Sequence, residues 1–246
     1  MISENNNSVI YSKKLASDVN ALLQGVSSEQ LFILTDEQTK IHCLPLLQSE
    51  GAMKNAKVYT MPCGDHYKTI ETVVDIWKFL GENGGTRKSM IINLGGGVVT
   101  DLGGFVANTF KRGIRFINIP TTLLSMVDAA VGGKTGINFN GLKNEIGVIN
   151  PAESVIIYSD FLRSLDTENL LSGYAEMLKH GLLSSEEEMK KLSKFDARKP
   201  DFDLLAKLIE TSIEVKANIV KQDPTEKGIR KALNLGHTIG HAFESY

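Results

Sequence analysis

Short apolar runs separated by helix-compatible segments dominate the first 165 positions. LFILTD ends at Asp36, and KVYTMP, MIINLGGG and IRFINIPTT repeat its character, each short and closed by a turn or a polar group. Between them, TIETVVDIWKFLGENGG places Val73, Val74, Ile76, Trp77 and Leu80 at helical spacing and stops at a glycine pair. Strands that are apolar on both faces and alternate with helices predict a parallel α/β sheet, whose ligands sit at the carboxyl ends of the strands. Asp36, Gly95 and Thr121 stand at such ends.

From about Pro151 the pattern changes. After the strand-like SVIIYSD, the segments TENLLSGYAEMLKHGLLS, EEEMKKLSKF and FDLLAKLIETSIEVKANIVKQD are helical in period, and ALNLGHTIGHAFESY is helix-like as well. The expected organisation is therefore α/β plus α: a Rossmann-like parallel-sheet domain over 1–165, then a mainly α-helical domain over 166–246. The last helix-like stretch stops without Gly, Asn or Pro, which predicts a truncated chain.

Composition narrows the partners. With 27 basic and 29 acidic residues and a net charge of -2, no overall field favours nucleic acid or an anionic membrane, so any anion must be bound locally. No apolar stretch is long enough to cross a membrane or to form a secretory signal, which leads us to expect a cytoplasmic protein. Cys43 and Cys63 lack the number and spacing of a disulfide framework or a CxxC site and are read as core thiols.

Three clusters carry candidate chemistry. In NLGGGVVTDLGGFVA an apolar strand runs into three consecutive glycines and then a helix-compatible segment with Asp101, Gly103 and Gly104. Glycine lets backbone N–H groups approach a diphosphate, and a helix N-terminus adds its dipole. A tight strand-to-helix turn would read the same way. VGGKTGINFNGLKNEIG sets Lys134, Lys143 and Asn144 among glycines, after Arg112, Thr121 and Thr122. These donors suit a phosphate or carboxylate, or are simply solvated. In GHTIGH, His237 and His241 are four apart and would share a helix face, with Glu176 on an earlier helix. Such a set could hold a divalent ion, and packed core histidines are the plainer alternative. His42, His66 and His180 are left as structural or surface residues.

Taken in this order, GGGVVTDLGGFVA, KRGIRFINIPTTLLSMVDAAVGGKTGIN, LKNEIG, GYAEMLKHG and LNLGHTIGHA resemble the 3-dehydroquinate synthase family, from about Asp36 to the last residues. The resemblance implies an NAD domain and a helical metal domain around a shared cleft, in a homodimer. It implies conversion of 3-deoxy-D-arabino-heptulosonate 7-phosphate to 3-dehydroquinate and phosphate, with NAD and one zinc or cobalt ion. By the same resemblance, Asp36, Asp65, Lys68, Gly95, Gly96, Gly97, Val98, Asp101, Thr121, Thr122, Lys143, Phe161 and Ser164 line the cofactor, together with Asp128 and Lys134. Asp65 stands where the family usually has glutamate. Lys134, Asn144, Asn234 and His241 are implied around the phosphate, with Arg112 reaching from a neighbouring subunit, and Lys216 and Arg230 on the carboxylate. Asp128 and Lys179 are implied beside the ring hydroxyls, which makes Lys179, His241, Asp128, Asn144 and Lys134 the catalytic set. Glu176 and His237 are implied as metal ligands, with a third ligand and a further phosphate-binding lysine beyond the chain.

Three rivals remain. Other sugar phosphate cyclases act on substrates without a carboxylate, which Lys216 and Arg230 argue against. Iron-dependent alcohol dehydrogenases share the two-domain plan but not the GGKTGIN and LKNEIG blocks. A non-catalytic fragment that binds NAD without turnover is the rival from another class.

Overall fold

The computed structural model describes residues 8–49, 51–236 and 239–240. In chain order it contains β1 (Ser8–Tyr11), α1 (Leu15–Leu22), β2 (Leu31–Asp36), α2 (Glu37–His42), α3 (Leu44–Leu47), β3 (Lys57–Met61) and α4 (Ile70–Glu82). Next come β4 (Met90–Gly95), α5 (Gly97–Thr109), β5 (Arg115–Pro120), β6 (Lys134–Phe139), β7 (Leu142–Ile149) and β8 (Ser154–Ile157). The remainder is helical: α6 (Thr167–Ser184), α7 (Glu186–Ser193) and α8 (Phe202–Gln222).

Six strands form one parallel sheet in the order β1-β8-β5-β4-β2-β3. The apolar runs explain it: β2 and β4 are buried on both faces, so alternate side chains feed opposite cores. Leu31 and Ile33 join Met90, Ile92 and Leu94 on one side, whereas Phe32, Leu34 and Ile91 pack against α4 and α5 on the other. The first of these cores runs on without a gap into Leu170, Tyr174 and Met177 of α6 and Leu205, Ile209 and Ile213 of α8. The helical part is thus packed directly on the sheet, through buried area that contributes about 25 cal/mol per Å².

Two elements depart from the sequence reading. β1 was not anticipated, and it pairs with β8 in the register Ser8 with Ser154. The glycine-rich VGGKTGINFNGLKNEIG, to which the sequence reading assigned no strand, forms most of the antiparallel hairpin β6–β7. Of the ALNLGHTIGHAFESY segment, 232–234 end a 3-10 helix that begins at Ile229, and most of the rest, with His237 and His241, lies outside the described residues. Cys43 is a core thiol, pushed up to about 12 by burial and by the Asp36 carboxylate. Cys63, expected in the core, is only half-buried, because it sits in the loop after β3 at the strand ends.

Helix α5 lies close on the sheet because of its glycines. A Cβ on Gly103 would meet the Asn93 carboxamide oxygen at 2.0 Å, and that carboxamide is itself held by Asn118 at 2.9 Å. We expect Gly103→Ala to lose stability by roughly 1–2 kcal/mol, overpacking outweighing the better helix propensity of alanine. Urea denaturation measures it; a stabilised variant would mean the asparagine pair yields freely.

Candidate functional site

The carboxyl edge of the sheet assembles the first part of the site. Asp36 ends β2 and caps α2, its carboxylate accepting from the Thr39 N–H at 2.7 Å. Gly95 ends β4, and Gly96, in extended conformation, leads into α5. The strand ends are tied where the Thr121 N–H donates to the Gly95 carbonyl at 3.0 Å. Added Cβ atoms on Gly96 and Gly97 would meet the Thr122 methyl and Ala129 at 3.2 Å, so glycine lets the loop after β5 close over this turn. The result is a set of backbone N–H groups at a long helix N-terminus, an arrangement suited to a diphosphate. Val98 follows in the first turn, partly buried.

Thr122 and Ser125 bond each other through hydroxyls at 2.9 Å and each accepts the other's backbone N–H at 3.2 Å. They start a segment that becomes π-helical at Ser125–Ala129, a widened turn frequent at functional sites. That turn carries Asp128 across to the helical layer.

Lys68, almost fully buried, stitches three segments together. Its ammonium contacts Asp101 of α5 at 2.6 Å and the Asn144 side-chain oxygen of β7, while its carbonyl accepts from the Asn138 N–H at 2.8 Å. Burial pushes the Asp101 carboxyl up, against the pull of the Lys68 ammonium. Asn144 adopts a left-handed conformation at φ 55°, held by its N–H to the Asn138 side chain at 3.0 Å. The shorter Asp65 is engaged by Asn138 at 3.1 Å and lies 3.7 Å from Lys143, so here it serves the hairpin.

Helix α6 supplies Glu176, Lys179 and His180, one face at spacings of three and four, and α8 supplies Ser212 and Lys216 four apart. The Lys216 ammonium bonds both the carboxylate and the carbonyl of Asp128. Burial pushes the Asp128 carboxyl up, but Lys216, its hydrogen bond and Lys179 together outweigh that and hold it well below the usual carboxylate range. Lys179 pairs with Glu176 and donates to the Leu233 carbonyl. Arg230, buried, donates to the carbonyls of Pro224 at 2.7 Å and Gly132 at 3.1 Å. Gly132 lies between Arg230 and Lys216: a Cβ there would stand 3.1 Å from Arg230 Nη2 and 3.6 Å from Lys216 Cε, and its φ of 106° favours glycine.

Contacts thus join many of the implied site residues: Lys68 to Asp101 and Asn144, Lys216 to Asp128, and Lys179 to Glu176. Lys134 and Asn234 meet on a residue the sequence reading passed over: Glu226 pairs with the Lys134 ammonium and accepts from Asn234 at 2.6 Å. Burial pushes the Glu226 carboxyl up, yet those two donors hold it below its ordinary range. His180 was also passed over, although its position four residues after Glu176 was a legible signal. Phe161 lies in the core against Tyr158, and the Ser164 hydroxyl donates to the Phe161 carbonyl at 2.9 Å. Arg112 stands apart, exposed on the turn after α5 at φ 68°.

For a metal ion, Asp128, Glu176 and His180 bring potential ligand atoms within 4.8 Å of one another. His180 Nε2 is buried without a well-formed hydrogen bond, 3.2 Å from Glu176 Oε1. Carboxylates gathered beside an imidazole suit zinc or cobalt, the imidazole serving as a ligand or as the partner of a ligating carboxylate.

Family models place the chain. Residues 58–172 match the model described as 3-dehydroquinate synthase N-terminal, and 173–246 the one described as 3-dehydroquinate synthase C-terminal. The chain belongs to the 3-dehydroquinate synthase family. The 3-dehydroquinate synthase of Parabacteroides distasonis is 52% identical over 237 residues, 96% of this chain and 67% of that protein. That of Streptococcus pyogenes is 45% identical over 217 residues, 88% of this chain and 60% of that protein. The chain thus spans about 60–67% of these relatives. Among solved structures, 2-deoxy-scyllo-inosose synthase complexed with carbaglucose-6-phosphate, NAD+ and Co2+ superposes with a TM-score of 0.84 at 25% identity, covering 96% of this chain and 66% of that one. The Rossmann-like sheet domain followed by a helical domain is therefore the fold of this family and of the wider sugar phosphate cyclases. Among the described residues, no helix is long and apolar enough to cross a membrane.

Proposed function

We propose that this chain carries the cofactor and substrate machinery of a 3-dehydroquinate synthase, which turns 3-deoxy-D-arabino-heptulosonate 7-phosphate into 3-dehydroquinate and phosphate. The observation that carries the reading is the convergence of Lys134, Lys179, Lys216 and Arg230 with Asp128, Glu176 and Asn234 beside the glycine turn. Lys216 and Arg230, both buried and flanking Gly132, match a substrate that bears a carboxylate, which separates this reading from cyclases whose substrates lack one.

Bound NAD would supply reversible hydride acceptance at a secondary hydroxyl, and a zinc or cobalt ion would supply Lewis acidity. Gly95, Gly96 and Gly97 with the start of α5 would hold the diphosphate through backbone N–H groups, and Asp36 the adenosine end. Glu176 and His237 would hold the ion. Lys134, Asn144, Asn234 and His241 would bind the phosphate. Because Lys134 and Asn234 now share Glu226, substrate phosphate would compete with that carboxylate for the same donors. Asp128 and Lys179 would orient the ring hydroxyls. The protein's work is positioning and charge neutralisation around a small polyanion. Arg112, with its exposed left-handed turn, would serve the site of a second copy in a cytoplasmic homodimer.

The test is release of inorganic phosphate from the substrate. We expect release that needs both NAD and zinc or cobalt and is abolished in Lys179→Ala. If phosphate is not released but NAD raises the melting temperature, as linkage requires of a ligand bound to the folded state, the chain is a cofactor-binding unit without turnover. If neither occurs, the reading is wrong.

A further inference from the structure

We propose that Ser212 and His180 form a buried positioning relay that orients the Glu176 carboxylate toward its metal ion. The inference rests on the reading of Glu176 as a ligand and adds two residues to it. His180, Ser212 and Glu176 are 1%, 4% and 7% exposed, on two helices packed against each other. His180 Nδ1 lies 2.7 Å from the Ser212 hydroxyl, and Nε2 lies 3.2 Å from Glu176 Oε1.

The protonation pattern follows from charge. If Ser212 accepted from Nδ1–H, the neutral imidazole would turn the bare lone pair of Nε2 toward an anionic oxygen at 3.2 Å, which is repulsive. With the proton on Nε2, the ring donates toward the carboxylate and Nδ1 accepts from the serine O–H. The carboxylate thereby favours the tautomer, and Ser212 holds it by donating to Nδ1. The Lys179 ammonium donates to Oε1 and the ring N–H faces the same oxygen, which leaves the second oxygen for the ion.

Packing alone does not account for the pair. Nε2 is buried yet short of good hydrogen-bond alignment, which a core histidine kept for volume would avoid. The pull of a divalent ion on Glu176 would move the carboxylate relative to this ring, so the loose contact is one that metal loading would remake. Partners of ligating carboxylates and histidines in general change metal affinity by 10–100-fold.

The experiment uses the whole chain and cobalt alone. Co2+ affinity and the visible absorption band of the bound ion are measured for the unaltered chain, Ser212→Ala, His180→Ala, His180→Gln and Glu176→Gln. We expect affinity about 10-fold weaker in Ser212→Ala, weaker still in His180→Ala, and an altered band in both. His180→Gln, whose amide N–H can replace Nε2–H, should recover most of the affinity. Nitrogen-15 NMR of the metal-free chain should find His180 protonated on Nε2, and protonation on Nδ1 overturns the relay. Full cobalt affinity in His180→Ala, with loss in Glu176→Gln, also overturns it while leaving Glu176 a ligand. No binding by the unaltered chain, or undiminished binding by Glu176→Gln, removes the ligand reading itself and the relay with it.

Discussion

Lys216→Ala is expected to lower the stability of the folded chain by about 2–4 kcal/mol, somewhat less than the ~3–5 kcal/mol for breaking a fully buried pair because the Asp128 carboxylate is partly exposed. Lys216 is itself almost fully buried, and its ammonium bonds both the side chain and the carbonyl of Asp128. Removal leaves a carboxylate against α8 with the more distant Lys179 to offset its burial. The pH dependence gives the sign. The folded Asp128 carboxyl lies below its unfolded value of about 3.9, so its stabilisation is complete above that value and is lost as pH falls through the depressed one. The gap between the two proteins should therefore be full at pH 7 and narrow below about pH 4. Guanidinium unfolding at pH 7 and pH 3 checks it, and a gap that widens in acid would contradict the assignment of Lys216 as the dominant partner.

The second large effect is at Gly173. A Cβ there would meet the Leu124 nitrogen at 2.4 Å and the Leu123 Cβ and carbonyl carbon at 2.6 and 2.7 Å. Two of these atoms are backbone, so no rotamer change relieves the clash, and α6 must draw away from the loop that becomes the π-turn of Asp128. Gly173→Ala should cost about 3 kcal/mol from overpacking, against roughly 1 kcal/mol regained from helix propensity. Because Glu176, Lys179 and His180 ride on the same helix, the retreat should also part them from Asp128 and weaken cobalt binding. Thermal unfolding with and without cobalt measures both. A variant that keeps its stability and its cobalt affinity would show that the helix and the loop are not packed as described.

How legible was this in the sequence? The central strands were, since LFILTD and MIINLG are apolar on both faces whatever the neighbours. The glycine turn and α5 were equally plain, and the ordered motif blocks carried the family. The hairpin was not, because β7 is almost wholly exposed and shows no apolar alternation that a buried face would impose. Glu226 was invisible as well, sitting at φ 58° in a loop whose partners Lys134 and Asn234 lie on other elements.

The chain by itself determined the parallel-sheet core and the chemistry of its strand ends, because periodicity and glycine placement act over a few residues. Only the tertiary structure decided what spans distance. β1 is a strand because β8, 146 residues later, offers it an edge. Asp128 is held low because Lys216 arrives from α8, 88 residues on. His180 faces Glu176 along one helix, but its other ring nitrogen meets the Ser212 hydroxyl on another. Those contacts depend on two helices meeting through a shared core, and no local pattern of residues records where they meet.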